Sequence, residues 1–190
     1  MNKKYAFIIG TSAELIKCFP IFKELERRHT EFLFIQTGQH NLSKTVKLFN
    51  LKEPDAIINQ QNGFKGDTGG AFVWGIKTLP KLISFLNSQK QLKYILVHGD
   101  TISCVIGAIA GRLTRKKVVH IEAGLRSADI REPFPEEIAR IIADSISSVA
   151  FVPSLSCAEN TKGADTYVVG NTVYDSINYF VTNDTRDTEG

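Results

Sequence analysis

The sequence predicts a doubly wound α/β fold, in which helices cover both faces of a parallel sheet. Short apolar runs rich in β-branched residues recur along the chain, and most are followed by a longer segment with apolar residues at helical spacing. Several of these runs are continuously apolar, which is typical of strands buried on both faces. Regular alternation of strands and helices implies parallel βαβ units.

Seven segments have the composition of strands. The first is closed by Gly10 and the second by Gly38, and the third is a weak edge strand. The fourth and fifth end next to Asp100 and at Glu122. The predicted strands span residues 5–9, 31–37, 56–58, 93–98, 117–122, 149–152 and 167–169.

Six segments between them have helical periodicity. In the first, Leu15, Phe19 and Phe22 form part of an apolar stripe, Ser12 is a plausible N-cap, and Pro20 should kink or interrupt the helix. Pro135 can start the fifth. The predicted helices span residues 13–28, 42–49, 70–89, 103–113, 136–147 and 171–180.

Length and composition favour one domain. Its 190 residues are expected to form a Rossmann-like domain over 1–181, with a polar tail or linker over 182–190 and no second domain. Residues 63–70 are glycine-rich and predict a mobile loop. No run approaches a signal-peptide core or the ~20 apolar residues of a membrane helix, so we expect a cytoplasmic protein without a membrane partner.

Charge and cysteine content exclude some classes of function. The first 95 residues carry 14 basic and 7 acidic side chains, but the lysines are scattered and no nucleic-acid motif accompanies them. A solvated helix surface explains them better than a polyanion site. Three widely spaced cysteines predict reduced, buried thiols, and no histidine spacing indicates zinc.

Acidic residues follow two neighbouring predicted strands. Asp100 and Glu122 stand at the ends of the fourth and fifth strands, and Glu136 opens the helix after Pro-Phe-Pro. Ligands of open α/β sheets bind at the carboxyl ends of the strands, so these carboxylates should converge on one crevice. Such a group of acids is suited to proton transfer at a carbon or oxygen atom.

Each candidate also has a structural interpretation. Asp100 could cap the following helix, Glu122 could pair with Arg126, and Glu136 could complement the helix dipole. His98 and His120 are interpreted as core histidines with a possible supporting role. Lys17 could contact a phosphate or carboxylate, and His40 a sugar, although a surface position is the simpler expectation for both.

Several phrases together resemble one enzyme family, the non-hydrolysing UDP-N-acetylglucosamine 2-epimerases. The motifs occur in the family's order and cover nearly the whole chain. They are Gly10-Thr11 with Glu14-Leu15-Ile16-Lys17, Thr37-Gly38-Gln39-His40, Val97-His98-Gly99-Asp100-Thr101, His120-Ile121-Glu122-Ala123-Gly124-Leu125-Arg126, Pro135-Glu136-Glu137 with Arg140, and Gly170-Asn171-Thr172 with Asp175.

The resemblance implies a fold, a reaction and a set of site residues. The family has a two-domain glycosyltransferase-B-like architecture, of which this chain matches the N-terminal half. Members interconvert UDP-GlcNAc and UDP-ManNAc by eliminating and re-adding UDP, without a metal or redox cofactor. By resemblance, Asp100, Glu122 and Glu136 match the catalytic carboxylates and Lys17 a substrate contact. Further candidates for substrate binding are Ser12, His40, Arg126 and Arg140.

Two departures from the family pattern affect these expectations. Ser12 replaces an arginine that contacts the nucleotide sugar, and a lost charge-assisted contact costs ~1.5–3 kcal/mol. The resemblance covers only the family's first domain, so a chain that ends at Gly190 is expected to bind UDP-sugar poorly and turn over little, whether it is cut at the domain boundary, a split subunit or a natural truncation. Expected partners are therefore the UDP-sugar, a C-terminal domain in cis or in trans, and further copies in a homo-oligomeric complete enzyme.

Alternatives of other kinds stay open. A hydrolysing epimerase would release ManNAc and UDP, whereas a non-catalytic sugar-nucleotide or partner-binding module would keep the acids as structural pairs. A receiver domain needs an acidic pair after its first strand, and residues 9–12 contain none. The epimerase hypothesis further predicts a role in cell-surface polysaccharide biosynthesis.

Overall fold

The computed structural model describes residues 3–59, 68–127 and 134–184. Within them, seven parallel strands form a single sheet. The strands are β1 (Tyr5–Ile9), β2 (Phe32–Gln36), β3 (Ala56–Ile57), β4 (Tyr94–His98), β5 (Lys117–Ile121), β6 (Val149–Val152) and β7 (Asp165–Val168). Their order across the sheet is β3-β2-β1-β4-β5-β6-β7.

Helices connect the strands. They are α1 (Ser12–Arg27), α2 (Ser43–Leu48), α3 (Thr68–Ser88), α4 (Ile102–Leu113), α5 (Glu136–Ile146), α6 (Leu155–Ala158) and α7 (Thr172–Asp184). Among the described helices, none combines the length and apolar character needed to cross a bilayer.

Two hydrophobic clusters lie on opposite faces of the sheet, and successive residues of β1 contribute to them alternately. Ala6 and Ile8 pack in a cluster with side chains of α3 and α4, whereas Phe7 and Ile9 pack with side chains of α1 and α2. This alternation follows from the two-residue period of a strand. The sheet is therefore covered on both faces, which confirms the doubly wound α/β fold.

The strand order reverses at β1. This strand pairs with β2 on one side and with β4 on the other, so the chain winds outward in both directions from the centre of the sheet. Connections that diverge in this way leave a crevice at the carboxyl ends of the two central strands. The crevice lies between the first turn of α1 and the first turn of α4.

Some local predictions were wrong. The N-cap of α1 is Thr11 rather than Ser12, because the Thr11 hydroxyl accepts the Glu14 N–H while the Glu14 carboxylate accepts from the Thr11 backbone. Helix α1 also continues through Pro20 to Arg27, so Pro20 does not interrupt it. The absence of a backbone N–H at one position did not end a helix held by its buried face.

The C-terminal part differs from its prediction in two places. Helix α6 was not predicted, because a single turn is too short to show a period. Helix α7 continues to Asp184, so the first part of the expected tail is helical, and residues 185–190 lie outside the described chain. Most of the expected glycine-rich loop also lies outside it, and residues 68–70 belong to α3.

Candidate active site

A cavity of about 110 Å³ occupies the crevice where the strand order reverses. Charged and polar side chains from the first turns after β1, β4 and β5, and one from α5, form most of its wall. The lining residues are Thr11, Ala13, Glu14, Lys17, His98, Gly99, Asp100, Thr101, Glu122, Leu125 and Arg140.

Glu122 follows β5 directly and has a left-handed backbone, with φ of 64°. The other described non-glycine residues with positive φ, namely His29, Asn50 and Arg115, follow the C-termini of helices, where this conformation is common. A glutamate held in this conformation at the end of a strand is strained by roughly 1–3 kcal/mol. The sheet therefore holds this carboxylate at the cavity against a local conformational cost.

Lys17 is the cationic partner of Glu122. Its Nζ lies 2.6 Å from Glu122 Oε2, and Asn171 Nδ2 donates to Oε1 at 3.2 Å. The expected alternative, a pair between Glu122 and Arg126, was wrong. Arg126 lies 2.7 Å from Asp144 and outside the lining of the cavity.

Asp100 is the second carboxylate at the cavity, and it forms an ion pair with Arg140 of α5. It does not cap α4, because Thr101 is the N-cap and its hydroxyl accepts the Cys104 N–H. The carboxylate of Asp100 is therefore left to face the cavity and Arg140.

Glu136 begins α5 as predicted, but among the described residues it is not part of the cavity lining. Its Oε2 is buried and has no hydrogen-bond partner in the described part of the chain. The next residue, Glu137, is buried and pairs with Arg140 at 3.1 Å. The structure thus brings two of the three predicted carboxylates together at the cavity.

The third carboxylate of the cavity is Glu14, which the sequence argument did not select. It is only 2% exposed and accepts hydrogen bonds from the backbone of Gly10 and Thr11 and from the Thr101 hydroxyl. Burial raises the pKa of Glu14 to about 7, although these hydrogen bonds act to lower it. The Thr-x-x-Glu spacing of a capping box was the signal that could have drawn attention to it.

His98 and His120 are both buried, as predicted for core histidines. His98 lines the cavity, where burial and then the positive charges of Lys17 and His120 lower its pKa to about 3. Its Nε2 lies 3.4 Å from Glu122 Oε2 and has no hydrogen-bond partner among the described residues. His98 is therefore a neutral polar group close to Glu122.

Ser12 and His40 lie outside the cavity lining. The Ser12 hydroxyl accepts a hydrogen bond from Thr45 of α2 at 3.0 Å. His40 is exposed and borders a separate hollow of about 180 Å³ beyond β2, together with Gln36 and Asn59. The structure therefore separates these two candidates from the carboxylates.

The arrangement has clear chemical capabilities. Carboxylates from three different turns can accept or donate a proton within one small space, and Glu14 can do either near neutral pH. The Lys17 ammonium and the Arg140 guanidinium can offset the charge of an anionic group that enters.

Fold and cavity together define a Rossmann-like α/β domain with an acid–base crevice at the switch point of its sheet. Residues 23–189 match the family model described as UDP-N-acetylglucosamine 2-epimerase. The chain belongs to this family.

Curated and solved relatives agree with this assignment. A UDP-N-acetylglucosamine 2-epimerase of Methanococcus maripaludis is 35% identical over 182 residues, covering 91% of this chain and 47% of the relative. The structure of Staphylococcus aureus MnaA with UDP matches with a TM-score of 0.80 and 30% identity, covering 93% of this chain and 47% of that one. Neisseria meningitidis UDP-GlcNAc 2-epimerase bound to UDP-GlcNAc matches with a TM-score of 0.78 and 26% identity, covering 94% and 50%.

The chain spans about half the length of the curated relatives it matches. The matching epimerase structures have a GT-B-type fold, and this chain corresponds to one half of them. The predicted family and fold class are thereby confirmed.

Proposed function

We propose that this chain is the N-terminal catalytic half of an enzyme that interconverts UDP-GlcNAc and UDP-ManNAc without hydrolysis. The observation that carries the proposal is the pairing of Glu122 with Lys17 and of Asp100 with Arg140 around one cavity at the switch point of the sheet. The names of the relatives, and the UDP-GlcNAc bound to the Neisseria meningitidis enzyme, indicate the substrate class.

The proposed reaction is an elimination followed by an addition. A carboxylate removes the C2 proton of the sugar, the C2 electron pair forms the C1–C2 double bond, and the C1–O bond breaks to release UDP. Addition of UDP at C1 and of a proton at C2 from the opposite face gives the epimer. Because a sugar C2 proton is weakly acidic, its removal must be coupled to departure of UDP, and the base must be close and oriented.

The side chains of the cavity suit these steps. Asp100 and Glu122 are the proton-transfer groups, while Lys17 and Arg140 balance their charge and can attract the departing diphosphate. Glu14 adds a carboxyl group that can hold a proton near neutral pH. Glu136 stays a candidate because one of its oxygens is buried without a partner among the described residues.

A second half is needed to complete the site. A cavity of about 110 Å³ is well below the ~300–1,000 Å³ of pockets that enclose a small-molecule ligand. It can receive the reacting part of the sugar, while the nucleotide requires further surface. We therefore propose that a C-terminal domain, in cis or in trans, supplies this surface. From the family resemblance we also propose that the complete enzyme is homo-oligomeric.

The test joins this chain to the second half of the Methanococcus maripaludis relative and incubates the fusion with UDP-GlcNAc in D₂O. We expect UDP-ManNAc with deuterium at C2, because the proton returned to C2 comes from solvent. Substituting Glu122→Gln should reduce turnover by about 10²-fold or more, which is the contribution of a positioned acid or base. Glu159→Gln, at an exposed position, is the matched control.

Other outcomes separate the alternatives. Free ManNAc and UDP as products would show a hydrolysing epimerase. A folded fusion that binds UDP-GlcNAc without exchanging its C2 proton would show a non-catalytic module. Loss of stability in Glu122→Gln with unchanged turnover would assign a purely structural role to the Glu122–Lys17 pair.

A further inference from the structure

A ring of charged and polar side chains joins α5 to the rim of the cavity. Carboxylates alternate with arginine and histidine side chains, and five contacts of 3.9 Å or less connect them in sequence. The ring closes where a histidine meets the carbonyl of Gly99, next to Asp100. Its members, in order, are Asp100, Arg140, Glu137, Arg126, Asp144 and His120.

Both ring nitrogens of His120 face acceptors. Nε2 lies 2.7 Å from the carbonyl oxygen of Gly99, which can only accept a hydrogen bond. Nδ1 lies 2.7 Å from Oδ1 of Asp144, a carboxylate that also accepts from Arg126 and from the Gly124 N–H. Nε2 of His120 is therefore the donor to Gly99, and the other side of the imidazole is held against Asp144.

Asp144 is an anionic partner for the His120 ring. Burial acts to raise the pKa of Asp144, but the hydrogen bond and charge of His120 and those of Arg126 outweigh it and keep the pKa below its ordinary value. The Asp144 carboxylate is therefore ionised at neutral pH, and it holds the imidazole from the Nδ1 side.

Other titratable groups lie near this pair. His98, the last residue of β4, interacts electrostatically with His120 and is neutral because burial lowers its pKa to about 3. Cys104 of α4 donates its thiol to the Gly99 carbonyl at 3.2 Å, and burial raises the pKa of this thiol well above its ordinary value. The acidic groups linked to His120 are therefore Asp144 and, through the ring, Glu137 and Asp100.

The peptide that His120 holds is the one that carries Asp100. Gly99 has a φ of 65°, and its N–H donates to Ile121 of β5 at 3.0 Å. Its carbonyl is held by His120 from the same strand. With both ends of Gly99 tied to β5, the direction in which the Asp100 side chain leaves the backbone is set from the neighbouring strand.

We propose that His120 is a positioning residue, whose imidazole, held by Asp144, orients Gly99 and thereby the Asp100 carboxylate at the cavity. The inference rests on the proposed function, in which Asp100 transfers a proton. His120 is not among the described residues that line the cavity, and it reaches the lining through its hydrogen bond to the Gly99 carbonyl. Misplacing a reacting group by about 1 Å can cost ~100-fold in rate.

Two substitutions separate positioning from simple packing. The amide nitrogen of His120→Gln can replace Nε2 and keep the bond to Gly99, whereas that of His120→Asn replaces Nδ1 and keeps the bond to Asp144. In the fusion with a second half, we expect His120→Asn to lower kcat by about 100-fold with little change in KM, and His120→Gln to retain most of kcat. His29→Asn, at an exposed turn, is the matched control.

A measurement independent of activity accompanies the kinetics. Nitrogen-15 NMR of this chain at neutral pH should show a proton on Nε2 of His120, the nitrogen that faces the Gly99 carbonyl. The backbone resonances of Asp100 should move in His120→Asn and stay near their original positions in His120→Gln. Failure of the proposed function would leave every fusion inactive while these NMR results held.

Three results would overturn the inference itself. One is a His120 whose Nε2 carries no proton. Another is an equal shift of the Asp100 resonances in both variants. The third is a loss of kcat that follows the loss of folding stability in both variants alike, which would show that His120 serves packing alone.

Discussion

At the scale of single residues, Glu14 is a carboxylic acid whose buried environment differs strongly from water. It lies within the first turn of α1 and next to Thr101 of α4, and it is only 2% exposed. Burial raises its pKa to about 7 in spite of the hydrogen bonds that favour the ionised form. The folded chain therefore retains a proton on Glu14 at pH values where the unfolded chain has released it.

This retained proton predicts how stability changes with pH. The folded pKa of about 7 lies above the unfolded value of 4.5, so folding takes up a proton between them. The contribution of Glu14 to the free energy of unfolding is fully present below the unfolded pKa of 4.5. It falls by about 3 kcal/mol as the pH rises through the folded pKa. Urea unfolding at several pH values across this window should show a smaller pH-dependent loss in Glu14→Gln than in the wild type.

The control for this experiment is Glu24→Gln. Hydrogen bonds from Arg27 and Arg28 lower the pKa of Glu24 to about 2, so it stays ionised throughout the same window. Its substitution should leave the pH dependence unchanged. Equal slopes for the wild type and Glu14→Gln would show that Glu14 is ionised in the folded chain.

At the scale of secondary-structure elements, α4 sits unusually close to the sheet. A Cβ atom at Gly107 would lie 2.8 Å from Val97 and 3.1 Å from Ile8, residues of β4 and β1. Because Gly107 carries only a hydrogen atom where other residues have a side chain, α4 can approach the two central strands. The carboxyl ends of these strands form the crevice. Small residues in α4 are in this way linked to the geometry of the site.

Gly107→Ala should therefore destabilise the fold. Overpacking costs ~1–3 kcal/mol, which exceeds the ~1 kcal/mol that alanine gains over glycine in helix propensity. Gly75→Ala in α3 is the comparison, because its Cβ would meet the nearest atom, a methyl group of Ile102, at 3.3 Å. Chemical denaturation of both variants is the measurement, and an equal or larger loss at Gly75 would contradict the argument.

The helices and strands were mostly predictable because their signals are local. An apolar run bounded by glycine, or a stripe of apolar residues every three to four positions, is present in the sequence before any packing. Predicted and observed ends of β1 and β6 coincide, and the ends of the main helices either coincide or differ by at most four residues. Helix α6 escaped prediction because its four residues cannot display a period.

At the scale of the whole molecule, α7 returns the chain to its first helix. Phe19 of α1 stacks on Phe49 with ring centroids 4.9 Å apart, and Phe180 of α7 lies 4.9 Å from Phe49. The Ser176 hydroxyl donates to the backbone carbonyl of Ile16 at 2.7 Å. The last described element therefore packs against the layer of helices that α1 and α2 form on one face of the sheet.

Phe180→Ala tests whether the packing of α7 against α1 and Phe49 stabilises the fold. Phe180 is 38% exposed, so removal of its ring should cost about 1–2 kcal/mol, less than for a fully buried phenylalanine. Tyr174→Ala is the control, since Tyr174 lies on the same helix and is 68% exposed. Thermal unfolding should distinguish the two variants, and similar small effects in both would show that α7 adds little to the fold.

The sequence alone determined the order of strands and helices, the parallel α/β class, and the placement of Asp100 and Glu122 at strand ends, because these follow from local periodicity and from the rule that parallel strands end at one edge. It also contained the motifs of the family. Only the tertiary structure decided which charges meet. Lys17 and Glu122 are 105 positions apart, and their contact depends on how α1 packs against the sheet. Packing also explains why Glu14 lines the cavity, why Glu136 does not, and why the ring runs through His120. In each case the direction of the side chain is set by packing rather than by sequence spacing.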